Sequence, residues 1–242
     1  MLAGRYRLRA PIGAGDLGMV WSATDEILGR TVAVKYLIGE QARIRLLREA
    51  RMAAHVTHPR LLRVFDVLDN GPDQGAWMVL QYVHARPWAA MWLERGRIPP
   101  RAAAHVAAQV ADALSAMHRA GLVHRDVTPD NILVDADGEV KLVDFGSSLL
   151  LDEGTDEGSL MTGGRDYRAP EVRAGAAPGT AADVYALGAA VGEAVYGPSM
   201  VVDQLPDAPL THVLVRMLAT DPGWRPSAAT AVDLLAAVAT GR

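Results

Sequence analysis

Apolar and polar positions alternate along "YRLRAPIG" from Tyr6, and β-rich runs follow in "MVWSATD" and "TVAVKYLI". A period of two places successive side chains on opposite faces of a strand. "EQARIRLLREARMAAHV" changes to helical spacing, with Ile44, Leu47, Ala50 and Ala54 on one face, arginines between them, and His58-Pro59 closing the run. "RLLRVFDVLD" and "AWMVLQYV" return to the strand pattern around an "NGPDQG" turn. After Val83 the pattern becomes helical. "PPRAAAHVAAQVADALSAMHRAG" predicts a long helix with proline at its start and glycine past its end. "ILVDADGEVKLVDFG" predicts a hairpin over an Asp-Gly turn, and "LLLDEGTDEGSLMTGGRD", which has no period, a long acidic loop. Helices are expected in "TAADVYALGAAVGEAVYG", "LTHVLVRMLATDP" and "SAATAVDLLAAVATG". The sum is an α+β chain without internal repeats, a small β-rich part followed by a larger helical one.

Composition narrows this only a little. With 242 residues, half of them hydrophobic and 21% charged, the chain has the material for a buried core. A net charge of -4 offers no global attraction to nucleic acid or anionic membrane. There is no cysteine, which excludes disulfides and thiolate metal sites and suits a reducing compartment. The N-terminus lacks the apolar core of a secretory signal, and "ALGAAVGEAV", broken by Glu193, is too short to span a bilayer. A soluble, cytoplasmic chain is expected; in a membrane receptor the spanning segment would lie beyond Arg242.

"GAGDLGMV" sets Gly13, Gly15 and Gly18 between two strands. Glycines let a backbone approach phosphate oxygens closely, with N–H groups facing them, although a plain hairpin turn explains them as well. A dinucleotide-binding reading needs a helix after the last glycine, and "MVWSAT" is a strand. Lys35 ends "VAVK", where an ammonium can reach α- and β-phosphates and needs a carboxylate to hold it. Glu49 is the candidate; the bland alternative is an i,i+4 partner for Arg45. "HRDVTPDN" supplies Asp126, able to orient a hydroxyl and take its proton, and Asn131, whose amide oxygen can ligate a hard cation. "DFG" adds Asp144 as a second oxygen ligand, so Asn131 and Asp144 are the candidate metal ligands. His55 and His58 read as surface residues, and the arginines at 43, 45, 48 and 51 as the solvated face of the Glu49 helix.

In order along the chain, "GAGDLGMV", "VAVK", "REA", "HRDVTPDN", "DFG", "RAPE", "DVYALG" and "DPGWRP" resemble the eukaryotic-like Ser/Thr protein kinases of bacteria. The resemblance implies one kinase domain over 1–242 with a bilobal fold: a β-rich N-lobe of about 1–80, a hinge at 81–83 and a helical C-lobe over 84–242. It implies ATP and Mg²⁺ as cofactors. Asp126, Lys35, Glu49, Asn131 and Asp144 would be the catalytic set. Gly13, Gly15, Gly18, Lys35, Val20, Ala33 and the backbone from Gln81 to Val83 would bind the nucleotide, with Leu80 behind the adenine. Glu171 would pair with Arg225, Asp183 would brace the catalytic loop, and His124 would be packed and buried. The implied partner is a protein substrate or a phosphopeptide-binding protein, with no nucleic acid and no membrane segment in this chain. A homodimer through the small lobes is open by family analogy.

Three features depart from the family. Thr128 replaces the lysine that would contact the transferring phosphoryl group, which implies slowed transfer. Gly163 and Gly164 stand where a Gly-Thr pair is usual. "YGPSMVVDQLPDAP" is too short for the usual insert and extra helix, a shortened C-lobe. Arg125 suggests control by a charged activation segment, with Thr155, Ser159 and Thr162 as candidate phosphosites and Asp152, Glu153, Asp156 and Glu157 as built-in charge. The expected activity is ATP- and Mg²⁺-dependent phosphorylation of serine or threonine hydroxyls. A nucleotide-binding pseudokinase scaffold is the alternative and a small-molecule phosphotransferase a weaker one.

Overall fold

The computed structural model describes residues 1–15, 18–69, 71, 75–151 and 166–241. The chain divides into two compact units, one formed by Met1–Thr57 and Leu62–His84, the other by His58–Leu61 and Ala85–Arg242.

The first unit is built on a five-stranded antiparallel sheet of β1 (Tyr6–Gly15), β2 (Gly18–Asp25), β3 (Arg30–Leu37), β4 (Val64–Asp69) and β5 (Ala76–Gln81), in the order β1-β2-β3-β5-β4. Its one helix among the described residues is α1 (Glu40–Ala54). The alternation in β3 and β5 sorts side chains between two apolar clusters. Ala33, Leu37, Ala76, Met78 and Leu80 pack with Leu46 and Ala50 of α1. Val32, Val34 and Val79 join Tyr6 and Ala23 on the opposite face. Lys35 shares the parity of Ala33 and Leu37, so its side chain emerges on the α1 face.

The buried stripe of α1 differs from the expected one. Leu46, Glu49, Ala50 and Ala53 are buried, at i, i+3, i+4 and i+7, whereas Ile44 and Ala54 are exposed. A carboxylate inside the stripe disguised it, because an apolar-only pattern rejects the face carrying Glu49. The arginines behave less uniformly than a solvated face: Arg45 and Arg51 are exposed, but Arg43 bridges to Asp69 at 2.7 Å and to Glu40 at 3.1 Å.

The second unit begins with β6 (Ala85–Pro87), α2 (Trp88–Arg95) and α3 (Pro100–Arg119), the long helix anticipated, with Pro100 in its first turn. β7 (Leu122–Val123), β8 (Ile132–Asp135), β9 (Val140–Leu142) and β10 (Leu149–Leu150) follow, then α4 (Pro170–Arg173), α5 (Thr180–Tyr196), α6 (Pro209–Met217) and α7 (Ala228–Thr240). β8 and β9 form the expected hairpin, and Gly138 of the Asp-Gly turn takes φ 84°, a left-handed conformation open to glycine. α2 and the two-residue strands β7 and β10 are new relative to the sequence pattern; elements this short carry no readable period.

The connection from α5 to α6 holds only a 3₁₀ turn at Val202–Gln204. Met200 folds back onto Gly192 of α5, and a Cβ at Gly188 would lie 2.9 Å from Cβ of Met217. The two glycines therefore let the loop and α6 lie directly against α5.

Residues His58–Leu61 pack within the second unit. Leu61, 2% exposed, forms a parallel bridge with Leu142, whose N–H donates to the Arg60 carbonyl at 2.8 Å. His58 is not the surface residue its position suggested. Its side chain is 16% exposed and lies 3.4 Å from Asp112 of α3, and burial lowers its pKa. Asp112 also approaches Arg60 at 3.3 Å.

Candidate active site

In the first unit, the parity of β3 and the stripe of α1 bring one cation and one carboxylate together. Lys35 Nζ donates to Glu49 Oε2 at 2.6 Å, with the two side chains 13% and 7% exposed. Glu49 is thus committed across the apolar cluster and not along its own helix to Arg45. A buried ion pair of this kind offers little net stability, yet losing one partner costs about 3–5 kcal/mol.

The glycine run forms a β-hairpin, with Gly13 opposite Val20 and Gly15 opposite Gly18. Val20 packs against the cluster holding Ala33 and Leu80. At the end of β5, the Gln81 N–H donates to the Arg63 carbonyl at 2.9 Å. The tip residues Asp16 and Leu17 lie outside the described residues.

In the second unit the loop from His124 to Asn131 is held from several sides. Asp183 in the first turn of α5 accepts from the His124 N–H at 2.9 Å and the Arg125 N–H at 2.8 Å, and its Oδ2 lies 2.8 Å from His118 Nε2. Arg125 has φ 71° there, a strained value for a side-chain-bearing residue, costing about 1–3 kcal/mol. Two bonds onto one carboxylate are what fix it. His124 is fully buried, with Nε2 3.2 Å from the Val143 carbonyl and Nδ1 accepting from the Asp126 N–H at 3.3 Å.

Asp126 and Asn131 meet directly. The Asn131 amide donates to Asp126 Oδ2 at 2.8 Å and to its carbonyl at 3.0 Å. Since the Nδ2 group is engaged, the Asn131 Oδ1 remains the atom suited to a cation. Val143 N–H donates to the Asn131 carbonyl at 2.9 Å, bringing Asp144 to the same end of the β8–β9 hairpin. Asp144 has φ 67°, and its Oδ1 accepts from the Gly146 N–H at 2.9 Å. Burial pushes the Asp126 carboxyl above its ordinary pKa, and the Asp144 and Asp130 charges add to this against His124 and the Asn131 hydrogen bond.

A strong pair also joins α4 to the segment before α7. Arg225 donates to both Glu171 oxygens, at 2.6 and 2.7 Å, while its guanidinium spends further donors on the Ala219, Ala181 and Thr220 carbonyls. The Arg225 side chain is fully buried, and this hydrogen bonding lowers the pKa of Glu171.

The model of the protein kinase domain family matches residues 6–208. The chain belongs to the protein kinase domain family. Its bacterial Ser/Thr kinase relatives include the serine/threonine-protein kinase PknA of Mycobacterium tuberculosis (strain ATCC 25618 / H37Rv), 40% identical over 206 residues, 81% of this chain and 48% of the relative. PknA of Mycobacterium bovis matches to the same extent. A protein of Corynebacterium efficiens that also bears a serine/threonine-protein kinase name is 37% identical over 207 residues, 81% of this chain and 31% of its own length. The chain spans about half the length of the PknA relatives it matches.

Within this kinase domain, Lys35 and Glu49 lie in one unit and Asp126, Asn131 and Asp144 in the other. Gly163, Gly164 and the activation-segment candidates Asp152, Glu153, Thr155, Asp156, Glu157, Ser159 and Thr162 lie outside the described residues. Thr128 is 9% exposed. His118 was not singled out from the sequence. The signal was present: it continues the Ala111, Ser115 line on α3 at i, i+4 and i+7, and a histidine on such a buried face needs a polar partner. Among the described residues, no helix is long and apolar enough to cross a membrane.

Proposed function

We propose that this kinase domain transfers the γ-phosphoryl group of ATP to serine or threonine hydroxyls of protein substrates, with Mg²⁺. The observation that carries the reading is the Asp126–Asn131 contact at 2.8 Å beside Asp144, in a chain that also buries a Lys35–Glu49 pair at 2.6 Å. Mg²⁺ is commonly held by one or two protein oxygens, with phosphates and water completing the octahedron. Asn131 Oδ1 and the Asp144 carboxylate fit that donor set, being hard oxygens at one end of a hairpin. Bound there, the ion would neutralise charge developing on the phosphates. Lys35, held by Glu49, would contact the α- and β-phosphates. Gly13, Gly15 and Gly18 would let the hairpin backbone lie close to them. Val20, Ala33 and Leu80 would enclose the adenine, and the Gln81–Val83 backbone would bond its edge as the hinge. Asp126 would orient the substrate hydroxyl and accept its proton; its raised pKa brings its basicity closer to that task.

Thr128 favours slow transfer as a second element of the proposal. A hydroxyl at that position cannot neutralise charge on the transferring group, and one charge-stabilising donor is commonly worth about 3–4 kcal/mol. The same residue supports a scaffold reading, in which the domain binds nucleotide and recruits a phosphopeptide-binding partner. Transfer of radiolabelled phosphate to a protein acceptor, compared between this chain and Asp126→Asn, separates the two. Incorporation at least a hundredfold above the variant is expected, and equal background from both would leave the scaffold.

A further inference from the structure

A cavity of about 440 Å³ opens inside the second unit, where the C-terminal end of α3 meets the first turns of α5 and α7. We propose that it binds a small phosphomonoester. The volume lies within the usual range of small-molecule sites, about 300–1,000 Å³.

The polar lining points to a dianion. Ser115, Arg119 and Thr180 line the cavity together with Ser227, whose hydroxyl is engaged by Thr230, and among the described residues no carboxylate does. Arg119 is exposed at the rim and forms no ion pair among the described residues. Ser115 is 9% exposed and lines the cavity, and its hydroxyl makes no hydrogen bond among the described residues, which leaves that donor for an occupant of the cavity. α5 begins after Gly179, which supplies no capping side chain, and its first-turn residues Thr180 and Ala181 line the site. Ala228 and Ala229, the opening residues of α7, line it as well. The first-turn N–H groups of α5, which no side chain caps, favour bound negative charge, whereas α7 is capped by Ser227, whose hydroxyl accepts from the Thr230 N–H at 3.1 Å.

Two nearby charges leave this picture intact. Arg225 borders the cavity but is neutralised by Glu171, and its donors are committed to that carboxylate and three carbonyls. Asp183 is 1% exposed and is occupied by His118 and the two catalytic-loop amides. The rest of the wall is apolar, including Val184 and Pro226, which suits an organic body on the phosphate more than inorganic phosphate alone. His118 also borders the cavity, so the site is one hydrogen bond from Asp183, the residue that holds His124 and Arg125.

The test is calorimetric titration with phenyl phosphate, after saturating the chain with the Mg²⁺ complex of a non-hydrolysable ATP analogue. Binding at one site per chain is expected, tighter than inorganic phosphate and absent with benzyl alcohol. Arg119→Glu should weaken it at least tenfold and Ser115→Ala severalfold, with unchanged melting temperature and unchanged affinity for the ATP analogue. No saturable binding at millimolar phenyl phosphate, affinity unchanged in both variants, or inorganic phosphate binding as tightly would overturn the proposal. A failure of the ATP analogue to bind would count against the kinase reading alone, because Ser115 and Arg119 have no part in it.

Discussion

Asp126 is held in an environment that works against its own charge. Burial and neighbouring carboxylates raise its pKa, so at neutral pH the folded state bears a carboxylate it disfavours. An acid with a raised folded pKa weakens folding once the pH exceeds its ordinary range. Asp126→Asn should therefore remove phosphoryl transfer by at least about a hundredfold while melting no lower than the parent. Transfer by the parent should fall with decreasing pH, with the midpoint above the ordinary aspartate range, because only the ionised carboxylate accepts a proton; a pH series of initial rates reads this. Thr128→Lys should raise turnover by about two to three orders of magnitude, given about 1.4 kcal/mol per tenfold change. Unchanged or lower turnover would show that the hydroxyl at Thr128 does not limit transfer. At this scale the sequence was informative about identity and silent about contact. "HRDVTPDN" nominated Asp126 and Asn131, but their 2.8 Å hydrogen bond depends on the loop path that Asp183 enforces from 57 residues beyond Asp126.

Elements make two of these contacts possible by their periodicities. Lys35 reaches Glu49 because a period of two on β3 and a period of 3.6 on α1 converge on one apolar cluster. Lys35→Met should abolish transfer and also lower stability by a few kcal/mol, since the buried Glu49 loses that ammonium; activity and chemical denaturation separate the two effects. The α5–α6 contact makes an independent test. Gly188→Ala adds a methyl group 2.9 Å from Cβ of Met217, and the resulting overpacking of about 1–3 kcal/mol should outweigh the roughly 1 kcal/mol that alanine contributes to helix propensity. A lowered melting temperature is expected. The strands of the first unit and the long helices were legible because each repeats its pattern over many residues. α2 was not: eight residues with two tryptophans give little period, and Trp88, 1% exposed, is fixed by tertiary packing. The buried face of α1 was misread for the opposite reason, its most informative position being charged.

Across the molecule, each unit has its own charged anchor. Asp25 of the first unit, fully buried, accepts from Arg5 at 2.8 and 2.7 Å, and this hydrogen bonding depresses its pKa from 3.8 to about 2. Its contribution to stability is complete above the ordinary pKa and disappears as the pH falls from near 4 through about 2. Melting curves across that window should lose less stability in Asp25→Asn than in the parent. Family membership was legible from eight short motifs in order, because each is tied to a fixed place in the chain. The route of the chain between the units was not, since His58 to Leu61 look like any helix-ending turn in sequence.

That route limits how the protein can be taken apart. The polypeptide passes from one unit to the other after Thr57, again after Leu61 and again after His84. A gene cut at any one of these three points would leave the four-residue stitch 58–61, the stretch 62–84, or both in the wrong half. Expressed separately, residues 85–242 would lack the Leu61 plug over Leu142, and such a fragment should recover its native hydrogen-exchange protection only when a peptide spanning 58–61 is supplied in trans.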